Sequence, residues 1–237
     1  MKPQIRQVVL DTETTGINPR DGNRIIEIGC VELIDRKLTG NNYHQYINPG
    51  RDSEEGALQV HGLTTEFLSD KPKFAEISDE FIKYIQGAEV VIHNAPFDLG
   101  FLNAEFSRLN LGCFDDYVSG VTDTLVQAKE LHPGKRNSLD ALCDRYGISN
   151  THRQLHGALL DAELLADVFL AMSRGQNSLM MDVDETPESS LQVIEDDSAP
   201  LPEIIVMPAS QAELDDHSNL LNGLDKQNKQ PCLWRQS

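Results

Sequence analysis

The sequence is short of the residues that grip anions. Against 38 acidic side chains stand 20 basic ones, a formal charge of −18 at pH 7. Phosphate affinity comes largely from Lys and Arg contacts, so this balance argues against a chain that holds nucleic acid through a broad basic surface. If the chain handles a polyanion, divalent cations or a partner must do much of the holding. Cysteine is scarce as well: Cys30, Cys113, Cys143 and Cys232 are scattered, with no Cys-x-x-Cys pair. That spacing excludes a thiolate zinc site and fits a reducing compartment. No apolar run approaches the roughly 20 residues of a membrane span. The N-terminus enters a strand pattern with no charged-then-apolar leader, so the expectation is a cytoplasmic protein without a membrane partner. No internal repeat is visible.

Half of the net negative charge is concentrated at one end. From Gly175 onward there are 12 acidic and 3 basic residues, and Thr186-Pro187-Glu188-Ser189-Ser190 and Asp196-Asp197-Ser198-Ala199-Pro200-Leu201-Pro202 are too polar and proline-broken to build a core. The organisation expected is a folded body over residues 1–174 followed by a flexible acidic tail. Within the body, Val8-Val9-Leu10 predicts a buried strand that leaves through Gly16, Pro19 and Gly22. Further β-rich runs follow at Arg24 to Ile34, Asn41 to Ile47, Glu89 to His93 and Tyr117 to Thr122. Helical spacing covers Asp52 or Ser53 to Val60, Phe74 to Ile85, a start at Asn94 or Ala95 with Pro96 in the first turn, Leu125 to Leu131, Ser138 to Tyr146, and Ala158 to Met172. Strands come early and helices then alternate and dominate. The fold class is therefore α/β, a mixed sheet of about five strands covered by helices on both faces.

Asp11 and Glu13 sit at the end of the first strand. Positions i and i+2 of a strand share a face, so the two carboxylates converge. Like charges that close are tolerated where a cation or a shared proton neutralises them, and hard oxygen ligands suit Mg²⁺ or Mn²⁺. Asp98 falls in the first turn of a helix, where the dipole favours an anion, and also at the C-terminal end of a strand, where α/β sheets place ligands. On one helix, His156 and Asp161 would point about 140° apart; Gly157 lets the chain turn, placing His156 in a loop and Asp161 inside the helix that follows.

Together, Asp11-x-Glu13, His93-Asn94-x-x-Phe97-Asp98 and His156-x-x-x-x-Asp161 resemble the three motifs of the exonuclease superfamily with four acidic metal ligands and a histidine base. Val60-His61-Gly62-Leu63-Thr64 resembles that family's loop beside the terminal nucleotide. Gly134 to Leu142 is similar to the proofreading branch that serves bacterial replicative polymerases. The resemblance covers roughly residues 5 to 175. It implies the ribonuclease H-like fold and two divalent ions, Mg²⁺ or Mn²⁺, held by Asp11, Glu13, Asp98 and Asp161, with Asp11 bridging. It further implies His156 as general base, and Asp11, Glu13, Thr14, His61 and Asp161 as contacts to the 3′-terminal nucleotide of a single-stranded or frayed DNA end. In one place the chain departs from the family: a Glu that often precedes the loop histidine by five residues, and contacts the sugar's 3′-hydroxyl, is Gly56 here, with Glu55 beside it.

In the tail, residues 175–182 contain Gln176-x-x-Leu179-Met180-Met181, which resembles a sliding-clamp docking peptide. Residues 183–207 read as a linker. In 208–237, Leu214, Leu220, Leu221 and Leu224 fit one apolar helix face, and Leu233-Trp234 supplies an aromatic anchor for the polymerase catalytic subunit. The resemblance also leaves room for a small accessory subunit on the body. Two other readings stay open at this level: an RNA-trimming exonuclease of the same superfamily, and a non-catalytic adaptor between clamp and polymerase. The second has no use for repelling carboxylates.

Overall fold

The computed structural model describes residues 4–150, 155–174 and 210–228, in two units, Met1–Asp182 and Val183–Ser237. The first unit is built on β1 (Arg6–Thr14), β2 (Ile25–Ile34), β3 (Lys37–Leu38), β4 (Tyr43–Tyr46), β5 (Glu89–Ile92) and β6 (Gly120–Asp123). Its helices are α1 (Glu55–His61), α2 (Thr65–Leu68), α3 (Phe74–Ile85), α4 (Ala95–Leu109), α5 (Thr124–Leu131), α6 (Leu139–Tyr146) and α7 (Ala158–Arg174). In the second unit, α8 spans Gln211–Asn228.

The strands form one mixed sheet in the order β3-β2-β1-β5-β6, with β4 also paired to β2. β1 runs antiparallel to β2 and parallel to β5, and β5 runs parallel to β6. The expected mixed α/β sheet is thus present, enlarged by the two-residue β3. That strand exists because Asp35 and Arg36 both take positive φ, the backbone of a tight hairpin turn that returns the chain onto β2 as β3, ahead of the run expected from Asn41, which forms β4.

Alternation along β1 decides what each face meets. Val8 and Leu10 pack with Phe74 and Phe81 of α3 and Phe101 and Phe106 of α4, whereas Val9 packs with Ala162, Leu165 and Phe169 of α7. Each fully buried Phe or Leu contributes about 1.5–3 kcal/mol, so the two layers fix the sheet between α3/α4 and α7. Helix ends follow the expected capping at Ser138, whose hydroxyl accepts from Ala141 N–H, and at Gly62, which closes α1 with φ 70°. Two boundaries differ: α1 begins after Glu54 rather than after Asp52 or Ser53, and the last strand starts at Gly120, leaving Tyr117 outside it.

Of the tail, the peptide 176–181, the linker 183–207 and Trp234 lie outside the described residues. The helix expected after Pro208 is present as α8, with Leu214 and Leu220 exposed and Leu221 buried.

Candidate active site

Asp11 and Glu13 lie on the same face of β1 as Val9, the face that carries α7. Their neighbours across the β1–β2 ladder are Gly29 and Glu27. Gly29 decides how close α7 can come, because a Cβ there would lie 2.2 Å from the carbonyl carbon of Ala158 and the nitrogen of Leu159. With hydrogen in that place, the first turn of α7 rests on β2 beside Asp11. One turn on, Asp161 lands at the strand end, 4% exposed. Ligand atoms of Glu13, His156 and Asp161 all lie within 4.8 Å of one another.

His156 lies before α7, separated from its first residue by Gly157, so it is outside the helix that carries Asp161, as expected from their spacing. Its Nδ1 is 3.3 Å from Asp161 Oδ2, and its side chain is 42% exposed.

Asp98 approaches the same strand from the opposite face. Asn94, in the left-handed region at φ 67°, ends β5 and starts α4, with Pro96 in the first turn. This brings Asp98, 3% exposed, to Thr12, whose hydroxyl donates to Oδ1 at 2.7 Å. Thr12 lies between Asp11 and Glu13 in the chain and points to the other side of the sheet, so Asp98 meets the strand end through it. Burial pushes the Asp98 carboxyl up to about 7, opposed by the Thr12 hydrogen bond and reinforced by the charge of Asp123. His93, the first residue of that motif, is turned away: its Nδ1 meets Thr124 Oγ1 at 2.9 Å, and burial lowers its pKa.

Thr14 is buried, and its hydroxyl donates to the Gly16 carbonyl at 2.7 Å. His61 is buried at the end of α1, and its Nδ1 accepts from Leu63 N–H at 2.9 Å. In the neutral ring the proton is therefore on Nε2, which has no hydrogen-bond partner among the described residues. Burial lowers the His61 pKa, with Glu27 acting in the opposite sense, so the ring is a neutral donor ready for a ligand acceptor. Gly56 is exposed, with open space around it, and Glu55 is exposed too. The neighbouring acid with a fixed partner is Glu54, whose Oε1 accepts from Asn23 Nδ2 at 2.7 Å.

Gly29, Thr12 and Glu54 were not singled out by the spacing of the acids. Gly29 did carry a signal, since a lone glycine inside the run Ile25 to Ile34 marks a close backbone approach.

The chemistry open to this arrangement is set by its donors. Carboxylate oxygens of Glu13 on β1 and Asp161 on α7 gather at one strand end beside the His156 imidazole, while Asp98 of α4 reaches the same strand from its other face through Thr12. A divalent cation is the counter-charge such a cluster fits.

The family model for exonucleases of the RNase T type matches residues 8–169. The chain is 52% identical to the DNA polymerase III subunit epsilon of Pasteurella multocida, over 97% of this chain and 93% of that protein. It is 48% identical to the subunit of the same name from Escherichia coli K12, over 97% of both. Among solved structures, exonuclease X in complex with 5′-overhanging duplex DNA superposes with a TM-score of 0.55 at 27% identity, covering 70% of this chain and 90% of that one. The zinc-bound E. coli exonuclease I complex with single-stranded DNA gives 0.64 at 17% identity, over 74% of this chain and 42% of that one, a likeness of fold.

Proposed function

The chain belongs to the exonuclease family, and from that premise we propose that it is the proofreading 3′–5′ exonuclease subunit of a replicative DNA polymerase III. It removes mispaired 3′-terminal nucleotides as 5′-monophosphates. The observation that carries this reading is the convergence of Glu13, His156 and Asp161 within 4.8 Å at a strand end that also holds Asp11.

The donor set suits the divalent metals on which the family depends. Asp11, Glu13, Asp98 and Asp161 are the residues that would hold two cations, Mg²⁺ or Mn²⁺. Two such ions supply an activated water and a stabilised leaving 3′-oxygen for in-line displacement at phosphorus. The protein's own part is to position and to move a proton. Asp161 holds His156 through Nδ1 at 3.3 Å, leaving Nε2 to take the proton from the attacking water. His61, with its unpartnered Nε2, and Thr14 grip the last nucleotide. Preference for mispaired ends needs no mismatch-reading pocket, because a frayed terminus has already lost the pairing that must be surrendered to enter a single-strand site.

The catalytic domain is residues 1–174. Residues 175–182 are assigned to the sliding clamp, 183–207 to a linker, and 208–237, which contain α8, to the polymerase catalytic alpha subunit. The place of work is the cytoplasm. The test is a nuclease assay on 3′-mispaired primer ends and on matched RNA, comparing the intact chain with Asp11→Ala/Glu13→Ala. Mononucleotide release that needs Mg²⁺ or Mn²⁺, favours DNA and vanishes in the double variant is expected. Undiminished hydrolysis in that variant removes the assignment.

A further inference from the structure

The turn that carries His156 is held by α1 as well as by its own helix. The backbone N–H of His156 donates to the Val60 carbonyl at 3.1 Å. Leu155 lies against Gly62, where a Cβ would come within 2.6 Å of its Cδ1. The last turn of α1 and the approach to α7 are therefore joined.

The other end of α1 is fixed to the end of β1. Glu54 N–H donates to the Thr15 carbonyl at 2.7 Å, and Asn23 Nδ2 donates to Glu54 Oε1 at 2.7 Å. Asn23 is itself held, since its Oδ1 accepts from the Thr15 hydroxyl at 2.9 Å, and that hydroxyl accepts from Arg24 N–H at 3.0 Å. Thr15 and Asn23 are 0% and 1% exposed, so both are rigidly placed. Gly16 makes room for this latch: a Cβ there would fall 2.4 Å from Asn23 Nδ2 and 2.5 Å from Glu54 Cδ. α1 has seven residues, roughly 10 Å of helix. It spans the gap between the strand end that carries Glu13 and the turn that carries His156.

We propose that Asn23 and Glu54 are positioning residues for His156. By clamping the first turn of α1 to the end of β1, they fix where the last turn of α1 holds the His156 backbone, and so the distance of the imidazole from Glu13 and Asp161. The role proposed for the latch concerns the base and not the cations. The inference rests on His156 being the general base.

Glu54 is exposed, so its replacement spares the core. The test compares the full-length protein with Glu54→Ala, Glu54→Gln, His156→Ala and the Glu54→Ala/His156→Ala pair, using a single-stranded DNA oligonucleotide and a separate Mn²⁺ titration. In Glu54→Ala, kcat is expected to fall about fivefold, because small misplacements of a catalytic group cost rate steeply, while KM and Mn²⁺ affinity stay within twofold. Glu54→Gln keeps an acceptor for Asn23 Nδ2 and should restore the rate. In the His156→Ala background, Glu54→Ala should change the residual rate by less than twofold. A fivefold loss that persists in that background, a Gln variant as slow as the Ala variant, or a loss borne by KM or Mn²⁺ affinity overturns the positioning role and leaves His156 as base untouched. A His156→Ala protein at the parental rate overturns the base assignment, and the positioning role with it.

Discussion

At the scale of the residue, Asp98 shows how the site is prepared. Its carboxyl is 3% exposed and faces one hydroxyl donor, and burial raises it to about 7, against about 3.9 in an unfolded chain. The folded state therefore binds that proton more tightly than the unfolded state. Its contribution to stability is complete below about pH 4 and is lost as pH rises through about 7. Without divalent cations, Asp98→Asn removes the buried charge and keeps an acceptor for Thr12. At pH 8 it is expected to stabilise the protein by on the order of 2 kcal/mol, read as a rise of several degrees in the thermal midpoint, while cation-dependent hydrolysis falls at least a hundredfold. A midpoint at pH 8 that is unchanged or lower contradicts the assignment. Asp98 was visible in the sequence as an acid in a first helical turn. Its contact with Thr12 was not, because alternation along β1 says only that Thr12 faces away from Asp11 and Glu13, and what lies on that side depends on where α4 docks.

At the scale of the element, the decisive fit is α7 on β2. The helix period and Gly157 correctly separate His156 in a turn from Asp161 in a helix. The distance between that helix and the strand is a tertiary quantity, set by the absent side chain of Gly29. Gly29→Ala puts a methyl group 2.2 Å from backbone atoms of Ala158 and Leu159, and backbone cannot swing aside as a side chain can. The helix must lift, drawing Asp161 away from Glu13. Overpacking of this kind costs about 1–3 kcal/mol, so a lower thermal midpoint is expected, together with a loss of hydrolysis of tenfold or more at fixed Mg²⁺. An Ala variant with the parental rate shows that α7 does not need this close approach. The same reasoning explains the latch at α1: in the sequence Gly16 and Asn23 read as loop and Glu54 as the start of a helix, and only the fold brings them together.

At the scale of the whole molecule, charge is the governing fact. A protein of net charge −18 that works on DNA gains little from counterion release. Binding through a few contacts at the 3′ end predicts a shallow dependence on salt. For a single-stranded oligonucleotide the slope of log KM against log salt should be about 1 between 50 and 200 mM, at roughly 0.7 per phosphate neutralised; a slope of 4 or more points to an extended cationic track instead. On the proposed reading, the acids at the strand end and the cations they would hold carry most of the encounter with substrate. The most direct measurement is anomalous diffraction from crystals grown with Mn²⁺. Two peaks about 4 Å apart, bounded by carboxylates of Asp11, Glu13, Asp98 and Asp161, are the expected result. No peak at the end of β1, or peaks that leave Asp11 or Asp98 without a cation, would contradict it.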